Sequence, residues 1–112
     1  MKRGEIYYAN LDPTVGSEIS KQRPVLIVSN NLHNQKAPMV TIVPLTSNVE
    51  RVYPFEVFLS AQDTLLPKDS KAMPQQIRAV SKQRMIGDAI ALLGAEIMIL
   101  VEDAMRLHLD MD

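Results

Sequence analysis

The sequence predicts a mainly β chain with a C-terminal helix, an α+β fold built as a small β-barrel. Short apolar runs of strand length, rich in β-branched residues, recur between residues 5 and 59. Turn-forming residues (Asp12-Pro13, Asn30-Asn31 and Thr46-Ser47-Asn48) separate them. Helical spacing of apolar residues appears in one segment only, from Glu96 onward. A length of 112 residues is expected to form a single domain over 1–112, large enough for one hydrophobic core.

Glu5-Ile6-Tyr7-Tyr8-Ala9 is the first strand, with Asp12-Pro13 and Gly16 turning the chain after it. Residues 16–22 have no strand or helix period and read as a loop. Pro24-Val25-Leu26-Ile27-Val28 is continuously apolar, as a strand buried on both faces would be. Its proline fits as the first strand residue, where no ladder donor is lost. A polar connection through Asn34-Gln35-Lys36 leads to a second apolar run, Met39 to Leu45. Around Phe55–Leu59 apolar and polar residues partly alternate, which predicts a further strand. Asp63 to Lys71 reads as a loop containing Pro67, and a polar segment follows Pro74 as far as about Arg84. In the terminal helix Ile97, Leu100, Val101, Ala104 and His108 share a stripe that Met98 and Met105 widen, with Gly94 as N-cap and Glu96 in the first turn.

Composition removes several chemistries. There is no cysteine, hence no disulfide, thiolate metal site or thiol nucleophile. Four isolated glycines cannot assemble a phosphate loop, and two distant histidines lack metal-ligand spacing. No signal peptide or membrane span is expected, so the chain reads as cytoplasmic. The net charge of −1 hides an asymmetry: residues 1–87 carry 11 Lys/Arg against 7 Asp/Glu, and residues 88–112 carry 1 against 6. The body can therefore face a polyanion, although a solvated mixed-charge surface explains the same counts.

Strand register gives one candidate site. If 24–29 and 39–45 pair as an antiparallel hairpin centred near Asn34/Gln35, Arg23 and Thr46 lie opposite each other at its open end. Loop 16–22 hangs over the same end, so the Glu18 carboxylate is expected to join them. A guanidinium fork matches phosphate oxygens, and a hydroxyl can donate to one. Neither is a nucleophile without a base. The chemistry such a trio suits is transfer at a phosphodiester that brings its own nucleophile, the 2′-hydroxyl of RNA. A surface ion pair and a strand-end hydroxyl account for the same spacing.

Several blocks carry a resemblance. Arg3-Gly4-Glu5-Ile6-Tyr7, Pro13 with Gly16-Ser17-Glu18, and Arg23-Pro24-Val25-Leu26-Ile27-Val28-Ser29 resemble the MazF/PemK family of toxin endoribonucleases. Pro44-Leu45-Thr46-Ser47 and Gln76-Ile77-Arg78 with Lys82-Gln83-Arg84 continue it in order. The resemblance implies an SH3-like barrel, a homodimer, and cleavage of single-stranded RNA at short sequences. The products would be a 2′,3′-cyclic phosphate, or its opened 3′-phosphate, and a 5′-hydroxyl, with no cofactor or metal. It implies Arg23 and Thr46 as the essential pair, a loop 16–22 that borders the RNA groove, and inhibition by a cognate antitoxin. Glu18 is the candidate general base, because arginine stays protonated and suits charge stabilisation instead. Ser17, Lys21 and Ser47 are candidate RNA contacts. So are Gln76, Arg78, Lys82, Gln83 and Arg84; a continuous strand over 76–84 would range Arg78, Lys82 and Arg84 into a basic stripe on one face with Gln76 and Val80. The chain departs from some relatives in having Ile19-Ser20-Lys21-Gln22 where they have a glycine-rich stretch.

Two other uses of such a barrel are weighed. Gyrase-poisoning toxins of the CcdB type depend on a C-terminal tryptophan, and this chain has none. A barrel that binds RNA or peptide without cutting would need a stacking platform. The aromatic content of 4%, with Tyr7, Tyr8, Tyr53, Phe55 and Phe58 expected to serve mostly the core, speaks against one.

Overall fold

The computed structural model describes all residues 1–112. Its elements are β1 (Glu5–Asn10), β2 (Gln22–Ile27), α1 (Asn31–Lys36), β3 (Met39–Thr46), β4 (Val57–Leu59), α2 (Ala61–Thr64), β5 (Ser70–Ala72), β6 (Arg78–Ser81), β7 (Met85–Leu92) and α3 (Ala95–Leu109). Single 3-10 turns at Pro74–Gln76 and Lys82–Arg84 flank β6. Every strand pairing is antiparallel, in the order β4-β5-β3-β2-β1-β7, with β6 also on β3. The mainly β fold with a C-terminal helix is therefore as expected. The end strands β4 and β7 do not pair, so the sheet stays open and barrel describes it only approximately.

The continuous apolar run of β2 is buried on both faces. Leu26 joins a core between the sheet and α3, with Ile6, Val43, Leu45, Leu59, Met98 and Val101. Val25 and Ile27 join a second core with Ala9, Leu11, Val40, Ile42 and Val80. A period of two, applied to a strand covered on both sides, produces this division directly. No helix is long and apolar enough to cross a membrane.

Five local expectations are corrected. The polar connection between β2 and β3 is the helix α1 rather than a turn. Asn30 caps it by accepting from His33 N–H, and fully buried Asn34 exchanges hydrogen bonds with Ser29. Pro24 is the third residue of β2, tolerated because the ladder to β3 begins only at Val25. The 63–71 loop contains the end of α2 and the start of β5. Residues 76–84 do not form one strand, because the two 3-10 turns break the alternation. The strand β7, which sequence reading missed, is disguised by Gly87 (φ 72°) and an irregular register against β1 between Ile6 and Tyr8.

On α3, Met98, Val101 and Ala104 are buried as expected, but Leu100 and His108 are exposed. A narrow strip suffices because only one side of the helix meets the sheet. His108 instead lies against the Phe55 ring, with centroids 6.4 Å apart. No aromatic residue is fully buried: Tyr8, Tyr53 and Phe58 are 38%, 44% and 48% exposed. The aromatics are therefore not consumed by the core, and the compositional objection to base stacking falls.

Candidate active site

The register between β2 and β3 is the expected one: Val25 faces Pro44, Leu26 faces Val43 and Ile27 faces Ile42. Extending it by two residues sets Arg23 across from Thr46, yet the ladder stops short of them. Arg23 pairs with Ala9 on β1, and Thr46 pairs with Lys71 on β5. β3 thus exchanges one partner for another at Leu45, and a cavity of about 280 Å³ lies where the two strands part. Arg23, Thr46 and Ser47 line it, with Tyr8 on one side and Leu66, Pro67 and Lys68 on another.

Both central side chains are half-buried. Arg23 Nε donates to Ser20 O at 3.1 Å, which fixes the guanidinium plane from the loop side. Its two terminal nitrogens make no hydrogen bond or ion pair within the chain. Thr46 Oγ1 accepts from Asn48 N–H at 3.2 Å, the strand-end use the spacing also allowed, and its own hydrogen stays free to donate. The only charged residues lining the cavity are Arg23 and Lys68. Lys68 was missed, because a loop position carries no register that could set it near Thr46.

The remaining candidates lie elsewhere. Glu18 does not converge on the pair. Its carboxylate accepts from Val15 N–H at 2.7 Å and so closes its own turn, facing a separate recess with Ile19, Gln75, Gln76, Ile77 and Arg78. Lys21, exposed and with φ 68°, is held through its N–H to Asp12. The basic stripe is not free either. Arg78 donates to Leu11 O, Lys82 to Asn34 O, and Arg84 to Asn10 O and Asp12 O. Gln83 is exposed beyond β6, its N–H on Ser81 Oγ. Gln76 bonds to Ile19 N–H and, through its amide, to Ser17 O.

A buried polar cluster behind Thr46 also escaped sequence reading. Lys71 Nζ lies 2.9 Å from Glu56 Oε1 and donates to Arg51 O, while Gln75 Nε2 and Tyr53 N–H donate to the same carboxylate. Burial by itself pushes the Glu56 carboxyl up. The hydrogen bonds from Tyr53, Gln75 and Lys71, with the lysine charge, more than offset it and hold Glu56 below its usual range. Tyr7 is raised, by burial first and then by the Glu5 and Asp88 charges and its hydrogen bond to Glu5. No group of three or more His, Asp or Glu gathers anywhere in a metal-binding arrangement.

Residues 2–109 match the family described as PemK-like, MazF-like toxin of type II toxin–antitoxin system. Endoribonuclease MazF9 of Mycobacterium tuberculosis is 43% identical, over 99% of this chain and 98% of its own. Among solved structures, an endoribonuclease in complex with its cognate antitoxin from a mycobacterial species superposes with a TM-score of 0.81 at 25% identity. It covers 100% of this chain and 97% of the other. MazF from Deinococcus radiodurans superposes with a TM-score of 0.85 at 24% identity over 99% and 97%, a likeness of fold.

Proposed function

The chain belongs to the PemK-like, MazF-like toxin family of type II toxin–antitoxin systems, and from that premise we infer that it is an endoribonuclease whose reaction centre is the Arg23–Thr46 cavity. It is a toxin inhibited by a cognate antitoxin, acting as a homodimer in the cytoplasm on single-stranded RNA at a short sequence. The observation that carries the assignment is the parting of β2 and β3, which gives one cavity a guanidinium fork, a free hydroxyl donor and no carboxylate.

The scissile phosphate sits between Arg23 and Thr46, with Lys68 on its flank. The RNA 2′-oxygen attacks phosphorus, and its proton passes to water, since neither carboxylate nor imidazole lines the cavity. Charge builds on the non-bridging oxygens, where the Arg23 fork stabilises it more than in the ground state. The Thr46 hydroxyl donates to one of those oxygens and fixes its orientation. The P–O5′ bond then breaks and the leaving 5′-oxygen takes a proton from water, giving a 2′,3′-cyclic phosphate and a 5′-hydroxyl.

The test uses purified chain, free of antitoxin, with long single-stranded RNA in EDTA, mapping fragment ends and running Arg23→Ala and Thr46→Val alongside. Discrete cuts with 5′-hydroxyl ends, lost in both variants at unchanged melting temperature, are expected. Uncut RNA that still binds the folded protein would instead make this a non-cleaving RNA-binding module.

A further inference from the structure

The sequence marks Gln76 as an RNA contact, but both ends of its side-chain amide bond within the molecule. Its Oε1 accepts from Ile19 N–H at 3.2 Å, and its Nε2 donates to Ser17 O at 3.3 Å. Both bonds cross more than fifty residues of sequence, from the 3-10 turn before β6 to the loop between β1 and β2. That loop also supplies the only intramolecular partner of the Arg23 guanidinium, Ser20 O. The Ile19 side chain packs against the second core, as Tyr7 and Met85 also do, so the loop is seated at that point rather than free. Arg78 and Arg84 hold its base through the carbonyls of Leu11, Asn10 and Asp12. Ser17, Ile19 and Ser20 thus form a short hydrogen-bonded path from Gln76 to Arg23.

We propose that Gln76 is a positioning residue for the ribonuclease reaction: it fixes residues 17–19 and, through the Ser20 carbonyl, sets the Arg23 guanidinium towards the scissile phosphate. This rests on Arg23 being the catalytic cation. A side-chain amide suits the task because it supplies an acceptor for one backbone N–H and a donor for one backbone carbonyl at once. Replacing it by an apolar chain of similar length leaves Ile19 N–H and Ser17 O to water. The guanidinium then samples orientations that no longer match the developing phosphorane charge, which lowers turnover more than substrate binding.

The test compares wild type, Gln76→Met and Gln76→Glu, reading kcat and KM on one RNA and amide hydrogen exchange in the free protein. For Gln76→Met, kcat is expected to fall about tenfold with KM changed less than about twofold. Exchange at the Ile19 amide should accelerate while β2 and β3 amides, including Leu26 and Val43, stay protected. Gln76→Glu keeps the acceptor, so it should retain Ile19 protection and recover part of kcat. Unchanged exchange at Ile19 in Gln76→Met overturns the proposal, as does a raised KM with kcat intact, the mark of a direct RNA contact. If Arg23→Ala cleaves normally, the assignment of the centre fails, whereas the exchange data still decide whether Gln76 holds the loop.

Discussion

At the scale of single residues, chemistry and support are carried by different side chains. Arg23 and Thr46 present free donors to a cavity, whereas Glu18, Gln76, Arg78 and Arg84 satisfy backbone groups of the end of β1 and the loop after it. The Glu18 carboxylate is therefore expected to take no part in proton transfer. Glu18→Gln, still able to accept from Val15 N–H, should leave the acid limb of the pH–rate profile in place, and a flattened limb would return Glu18 to the reaction. The Glu56–Lys71 pair gives a stability prediction. The Glu56 side chain is 2% exposed and that of Lys71 11%. Lys71→Met leaves a carboxylate buried without its cation and should cost roughly 3 kcal/mol in urea denaturation. Because the folded pKa of Glu56 is depressed, its contribution is complete above the unfolded carboxyl value and is lost as pH falls through the lower folded one. The stability gap between wild type and Glu56→Gln should accordingly narrow on acidification below the usual carboxylate range.

At the scale of elements, helix ends and strand ends decide most. The 15-residue α3 begins at Gly94, which offers no side-chain cap. Gly94 has ordinary extended backbone geometry, and a Cβ there would meet nothing within 4 Å. Gly94→Asp adds an acceptor for the first-turn N–H groups, favours the helix dipole and restricts the unfolded chain. It should stabilise by about 0.5 kcal/mol, measurable as a rise in melting temperature. In β7 the opposite holds. Gly87 has φ 72°, and alanine there should cost about 1 kcal/mol although space is open around it. The change of partner at the end of β3, from β2 to β5, is the element-scale event that makes the cavity.

For the whole molecule, a net charge of −1 requires RNA to be held by placement rather than by a general field. Two cations, Arg23 and Lys68, line the cavity, and the other basic residues of 76–84 are tied to carbonyls. Binding of an RNA lacking the reactive 2′-hydroxyl should therefore depend weakly on salt. The expected slope of log affinity against log salt is about −1.4 for two phosphate contacts on a single strand. A slope near −3.5 would mean that Arg78, Lys82 and Arg84 also release their carbonyls and bind phosphate. Exposed Phe58, Leu100 and Leu107 border a groove beside α3, an exposed apolar surface of the molecule.

What the sequence determined by itself was periodic or local. The strand-length apolar runs, the doubly buried β2, the α3 stripe around Val101, and the β2–β3 register that sets Arg23 across from Thr46 all follow from spacing. The motif blocks carried the family for the same reason, since they are local. Tertiary structure decided whatever depends on partners distant in sequence. The Asn31–Lys36 helix forms because Asn34 is buried against Ser29, and no local period announces that. Lys68 reaches the cavity only through β5 and its loop. Glu18 turns towards Val15, where its carboxylate satisfies a backbone N–H three residues away. Gln76, Arg78 and Arg84 read as free polar side chains in sequence. They become supports for the loop because carbonyls and an amide from residues 10–19 are folded against them, and a side chain with a backbone partner at 3 Å has no reason to stay in water.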